Sequence, residues 1–140
     1  RLFVWRNHPE TRRHFFDPAP VDLSAHRRWF AGVLADATRT LLIGAVDGEE
    51  VGVLRYDFSG DEARVSIYLD PARRGEGVGT TLLVAGRDWL QSYCPETQAI
   101  VAEVLPANEA SVHAFLAAGY RESHRCFRYD IVDDRLTVSP

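Results

Sequence analysis

Between residues 22 and 36, His26, Trp29, Phe30, Val33 and Leu34 recur at the three-and-four spacing of one helix face. Pro18 and Pro20 punctuate the loop before it, and Asp22 or Ser24 stands where such a helix is capped. Alternation then takes over. Residues 41–46 and 51–58 predict strands joined by a turn at Asp47-Gly48, and a turn at Ser59-Gly60-Asp61 leads to a third strand over 63–69. Such short connections join antiparallel neighbours, so the three form a meander. Asp70-Pro71 ends it, because proline has no amide hydrogen for the ladder. Beyond a glycine-rich stretch, Val78, Leu82, Leu83, Gly86, Trp89 and Leu90 mark one helix face, and residues 98–105 form an apolar-rich strand. Asn108 caps a helix carrying Val112, Phe115 and Leu116, which Gly119 ends in a left-handed cap. Residues 120–123 and 125–132 predict two closing strands, while residues 2–5 are too short a run to assign. A meander followed by mixed helices and strands predicts an α+β (mixed α/β) class. Without repeat or linker, residues 1–140 make a single domain.

Composition narrows the function. Apolar runs as short as Leu41-Leu42-Ile43 cannot span a bilayer, and no secretory leader pattern is present. Cys94 and Cys126 lack the spacing of a metal site, so they read as reduced thiols of a cytoplasmic protein with no metal. A net charge of -4 argues against general nucleic-acid binding. The charge is unevenly placed: residues 1–30 hold six arginines against Glu10, Asp17 and Asp22, a patch that could receive an anion or merely form a solvated helix face. The chain begins at Arg1 and contains no Met, so further residues are expected upstream.

The chemistry concentrates at Arg74-Gly75-Glu76-Gly77-Val78-Gly79-Thr80, between a strand and a helix. Glycines let the backbone turn tightly and approach a ligand closely, and the unpaired amides of a helix's first turn favour phosphate oxygens. Arg73 and Arg74 can add charge-assisted hydrogen bonds. A nucleoside-triphosphate loop would need Lys then Ser or Thr after its last glycine, and a dinucleotide fingerprint would need a parallel βαβ unit before it; neither is present.

Arg74 to Gly79 match R/Q-x-x-G-x-G/A, and Asn108-Glu109-Ala110-Ser111 through Ala118-Gly119-Tyr120 matches an Asn-capped helix ending in Gly-aromatic. Together they resemble the GNAT superfamily of N-acetyltransferases, from residue 41 to 131 in element order. The resemblance implies the acyl-CoA acyltransferase fold, a central mostly antiparallel sheet flanked by helices, with acetyl-CoA as co-substrate. It implies that the amides of Gly75, Glu76, Gly77, Val78, Gly79 and Thr80, with Arg74, hold the CoA pyrophosphate. The splayed backbone of Ile67, Tyr68 and Leu69 would pair with the pantetheine arm, and Asn108 would contact the cofactor near the thioester. Trp5-Arg6-Asn7-His8-Pro9 with His26-Arg27-Arg28-Trp29-Phe30 resembles the branch that acetylates nucleotide-linked amino sugars. The branch acetylating ribosomal-protein N-termini opens similarly.

Two positions depart from the family. A Tyr general acid is common where this chain has Phe115, and the family's first strand would lie before the Trp5-Arg6-Asn7 segment, upstream of Arg1. Losing the Tyr is tolerable, because a thiol with a pKa of about 8.5 can leave near neutral pH without full protonation. The reaction expected is direct attack of a primary amine of a small molecule on the thioester in a ternary complex, with an amide near Leu69 stabilising the oxyanion. Glu103 is the expected base, as a carboxylate set among Ile100, Val101, Ala102, Val104 and Leu105; the alternative is a solvent-facing strand residue. Arg6, Asn7, Trp29 and Ser66 are the expected acceptor contacts, with Ser66 and Tyr68 sharing a strand face. His113 reads as a surface residue. A non-catalytic acyl-CoA-binding module is the competing class, and the oligomeric state stays open between monomer and homodimer.

Overall fold

The alternation along residues 41–69 folds as the expected meander. In the computed structural model, which describes residues 1–131, β1 (Arg39–Val46), β2 (Glu49–Ser59) and β3 (Glu62–Leu69) pair antiparallel in sequence order. The first turn needs two left-handed residues, and Asp47 and Gly48 supply them with φ of 52° and 82°. Helix α4 (Val78–Tyr93) then carries the chain back to β4 (Ala99–Val101), which lies parallel to β3. Ahead of the sheet come α1 (Leu2–Asn7), α2 (Pro9–Arg12) and α3 (Leu23–Ala35), and behind it α5 (Glu109–Ala117).

Register decides which side chains share a face. Arg39, Leu41 and Ile43 stand opposite Asp57, Arg55 and Val53, which in turn stand opposite Arg64, Ser66 and Tyr68. Opposed residues point to the same side of a sheet. These therefore form one face, and Leu42, Leu54, Tyr56, Val65 and Ile67 form the other. Helix α4 covers the second face, burying Val78, Leu82, Leu83 and Leu90 against Leu54, Tyr56, Ala63 and Val65. Gly86 permits that approach: a β-carbon there would stand 2.6 Å from Tyr56 Oη and 2.8 Å from Leu54 Cδ1. Helix α1 meets β3 and helix α3 meets β1.

Several expectations change. Residues 2–5 belong to helix α1, which buries Trp5. Asp22, not Ser24, caps α3, its Oδ1 accepting from the Ala25 amide at 2.8 Å, and Leu34 of the expected face is exposed. The strand expected over 98–105 keeps a ladder only at Ala99, Ile100 and Val101, opposite Glu62, Ala63 and Arg64. Beyond Val101 the two chains part. Residues 120–131, expected to hold two strands, carry none, and Phe127 and Tyr129 are exposed; Val132 lies outside the described residues. Among the described residues no helix is long and apolar enough to cross a membrane.

Candidate active site

The loop between β3 and α4 is built to leave amides free. Asp70 opens it, its amide donating to Val51 O at 2.8 Å and its carboxylate accepting from the Ala72 amide at 3.0 Å. Gly75 and Gly77 then take φ of 78° and 76°, a region costly for residues with a β-carbon. Gly77 caps α4 without a side chain to offer, so the amides of Val78, Gly79 and Thr80 find no partner from the cap; the first helical bond is Thr81 N–H to Gly77 O. Three outward amides at the positive end of a 16-residue helix favour phosphate oxygens.

The two neighbouring arginines are engaged elsewhere than expected. Arg73 donates to Glu76 at 2.6 Å and to Glu49 at 3.3 Å. Arg74 donates to Glu10 O at 2.8 Å and to the buried Thr11 hydroxyl at 3.4 Å. Both brace the loop against the rest of the chain. An open cleft of about 530 Å³ nearby is lined by Glu49, Glu50 and Asp70 with Arg1 and Trp5. Its carboxylates disfavour a phosphate, so the helix amides carry the assignment.

Strand β3 provides a second recognition element. Because the Asp70 amide points to β2, alternation turns the N–H and C=O groups of Leu69 and Ile67 to the opposite edge. Since β4 pairs only as far as Arg64, that stretch of edge is left open by the parting strands. Tyr68 turns its backbone to β2, so of the three residues expected to pair with a pantetheine arm only Ile67 and Leu69 face the opening. Asn108 caps α5 through Oδ1 to the Ser111 amide at 3.2 Å. Phe115 is buried in the core, edge-on to Tyr120 at 5.0 Å, and offers no hydroxyl.

The face opposite α4 gathers aromatic and cationic side chains. Arg6 lies over the Phe15 ring at 4.2 Å, Phe15 meets Tyr68 edge-on at 6.2 Å, and Arg55 lies 5.8 Å from the Trp29 ring. Trp29 and Phe3 each approach the His26 ring at 5.4 Å. Arg6 and Trp29 therefore lie by the sheet face that carries Ser66. Asn7 does not join them: its amide bridges to Val21 at 2.6 and 2.9 Å and holds the entry loop in place. Burial pushes the Tyr68 hydroxyl up to about 12, against the pull of Arg6 and Arg55. Burial also lowers the Arg6 and His26 pKa values, and for His26 the Arg6 charge adds to the effect.

Glu103 is not set among apolar groups. Strand β4 ends two residues before it, its side chain is about half exposed, and the Arg64 guanidinium binds it. Arg64 belongs to the same face as Ser66 and Tyr68, so the carboxylate sits at the edge of that face where the strands part. His113 is exposed, and no metal-binding group of His, Cys, Asp and Glu occurs among the described residues. Sequence reasoning missed Arg55 and Phe15. Arg55 carried a signal, as the one cation in an otherwise apolar run of β2 from Val51 to Tyr56; Phe15, in a loop, carried none.

Comparisons with known proteins identify the family. Residues 1–121 match the family described as the acetyltransferase (GNAT) domain. Aminoglycoside N(6')-acetyltransferase type 1 of Klebsiella aerogenes is 31% identical over 112 residues, covering 71% of this chain and 72% of the relative. The crystal structure of aminoglycoside acetyltransferase AAC(6')-Ib with coenzyme A and kanamycin superposes with a TM-score of 0.76 at 21% identity, over 87% of this chain and 77% of that one. A ribosomal-protein-alanine N-acetyltransferase of Brucella melitensis gives 0.71 at 22% identity, over 88% and 78%. At those identities the two structures show the shared fold. With the family match spanning the glycine loop, the open strand edge and the Asn-capped helix, the chain belongs to the GNAT acetyltransferases, enzymes that use acetyl-CoA to acetylate amines.

Proposed function

We propose that the protein transfers the acetyl group of acetyl-CoA to the primary amine of a nucleotide-linked amino sugar in the cytoplasm. The uncapped α4 N-terminus beside the open edge of β3 carries the cofactor half of this reading. The first-turn amides of α4 would bind the pyrophosphate, and the open groups of Ile67 and Leu69 would pair with the pantetheine arm. Acetyl-CoA supplies the activated acyl group. The Leu69 amide, turned to the open edge, would stabilise charge on the carbonyl oxygen, and Glu103 would take the proton from the attacking amine. Without a hydroxyl at Phe115, the thiolate departs unprotonated.

The arginine-rich opening supports the acceptor half, because a sugar nucleotide brings its own pyrophosphate and needs cationic donors. The two unpaired thiols, Cys94 and Cys126, support the cytoplasm. A second reading, acetylation of an aminoglycoside, is favoured by the 31% identity to the Klebsiella enzyme. Thiol release from acetyl-CoA, followed with a nucleotide-linked amino sugar, kanamycin and a peptide with a free α-amine, separates them. The sugar nucleotide should give the highest kcat/KM. Preference for kanamycin or the peptide would replace the acceptor, and CoA binding without release to any amine would leave a non-catalytic acyl-CoA-binding module.

A further inference from the structure

Five buried side-chain atoms without a hydrogen-bond partner among the described residues lie on the sheet face away from α4 or on the helices that meet it: Arg6 Nη1, His26 Nε2, Arg55 Nε, Asp57 Oδ1 and Tyr68 Oη. Buried polar groups in a native interior are nearly always partnered, so such a concentration calls for a ligand. Asp57 is paired within the protein, its Oδ2 accepting from Arg55 Nη2 at 3.0 Å and its Oδ1 lying 3.7 Å from Arg39 Nε. The other four can all donate, His26 in its Nε2–H tautomer. Arg6 forms no salt bridge among the described residues, although its stacking on Phe15 fixes its position. The Arg6 charge acts on both Tyr68 and His26, and that of Arg55 acts on Tyr68, so the donors lie within electrostatic reach of one another. Phe15, Trp29 and Phe3 wall them in.

We propose that Arg6, Arg55, His26 and Tyr68 form a subsite for an anionic group of the acceptor, a phosphate or a carboxylate, and that Arg55 and Tyr68 thereby determine specificity. This rests on the acetyl-transfer reading and extends it by giving the acceptor's anion a place. An anion there satisfies donors that are otherwise unpaired, with the strength of charge-assisted bonds. A polycationic amine would instead bring ammonium groups against a guanidinium already stripped of water.

Tyr68→Phe and Arg6→Met test it. The Tyr68 hydroxyl makes no hydrogen bond among the described residues, so its removal should leave the melting temperature unchanged or raised. Calorimetry with inorganic pyrophosphate is run on CoA-saturated protein, which occupies the α4 amides. Each variant should bind pyrophosphate about tenfold or more weakly than wild type, as loss of a bond to a charged group implies. Turnover with glucosamine, glucosamine 1-phosphate and 2-amino-2-deoxyglucuronic acid separates phosphate from carboxylate. One anionic sugar should show a KM at least about tenfold below that of glucosamine, an advantage lost in both variants while the KM for acetyl-CoA holds. No pyrophosphate binding by wild type, or equal values for wild type and Tyr68→Phe in both assays, overturns the subsite. Pyrophosphate binding that depends on Tyr68, with no amine acetylated, would keep the subsite and sink the acetyl-transfer reading instead.

Discussion

Glu103 and Arg64 meet at the edge of the sheet, just past the point where β3 and β4 part. A carboxylate in that position can receive a proton from an amine approaching over the Ser66–Tyr68 face and pass it to solvent. Glu103→Gln preserves shape and removes the acceptor, so kcat should fall on the order of a hundredfold while CoA affinity stays constant, measured by steady-state rates and CoA titration. An unchanged kcat would give the role to water. His26 allows a stability prediction. Burial and Arg6 hold its folded pKa below the ordinary 6.5. As pH falls below about 6.5, the unfolded chain therefore takes up a proton that the folded chain refuses, and stability declines. His14 is shifted the same way, again chiefly by burial. Urea unfolding from pH 7.5 to 5.5 should show this slope, and His26→Gln should remove His26's share; an identical slope in the variant would count against it.

At the scale of elements, the helix α4 N-terminus and its seat on the sheet can be tested separately. Gly77→Asp puts a β-carbon at φ 76° and a negative charge beside the free amides. CoA affinity should fall by at least about tenfold, because the charge opposes phosphate where the helix dipole attracts it. Gly86→Ala acts on the other face of the problem: its β-carbon would press on Tyr56 and Leu54, and overpacking of this kind costs about 1–3 kcal/mol. Denaturant unfolding should show that loss with CoA binding intact. Both glycines were visible in the sequence, one as loop signature and one as a gap in an apolar helix face, and so was the meander, since turn residues and period-two alternation are local signals. The extent of β4 was not. Apolar content from Ile100 to Leu105 gave no clue that the strands separate after Val101, because separation depends on pairing across the sheet. The helical state of residues 2–7 was hidden for a similar reason, as Trp5 is held by tertiary burial. The aromatic and cationic cluster combines residues from five separate segments, which spacing alone cannot bring together.

On the proposed reading, the whole molecule would receive its two substrates on one sheet by different routes. The proposed cofactor elements are the α4 amides and the open edge of β3, while the proposed acceptor elements lie over the face that carries Arg55, Ser66 and Tyr68. Arg74 ties the two regions together through Glu10 and Thr11. In that arrangement neither substrate would have to leave for the other to enter, and the amine would approach the thioester where the face meets the open edge. No thiol for a covalent relay stands there among the described residues: Cys94 follows the far end of α4, and Cys126 is exposed in the segment after α5. Acetyl transfer should therefore be direct, from a complex holding both substrates. Initial rates at several fixed acetyl-CoA concentrations should give intersecting double-reciprocal lines, and protein mixed with acetyl-CoA alone should gain no acetyl mass. Parallel lines together with an acetylated protein would mean a relay through a side chain, and Cys94→Ala and Cys126→Ala would then show which thiol carries it.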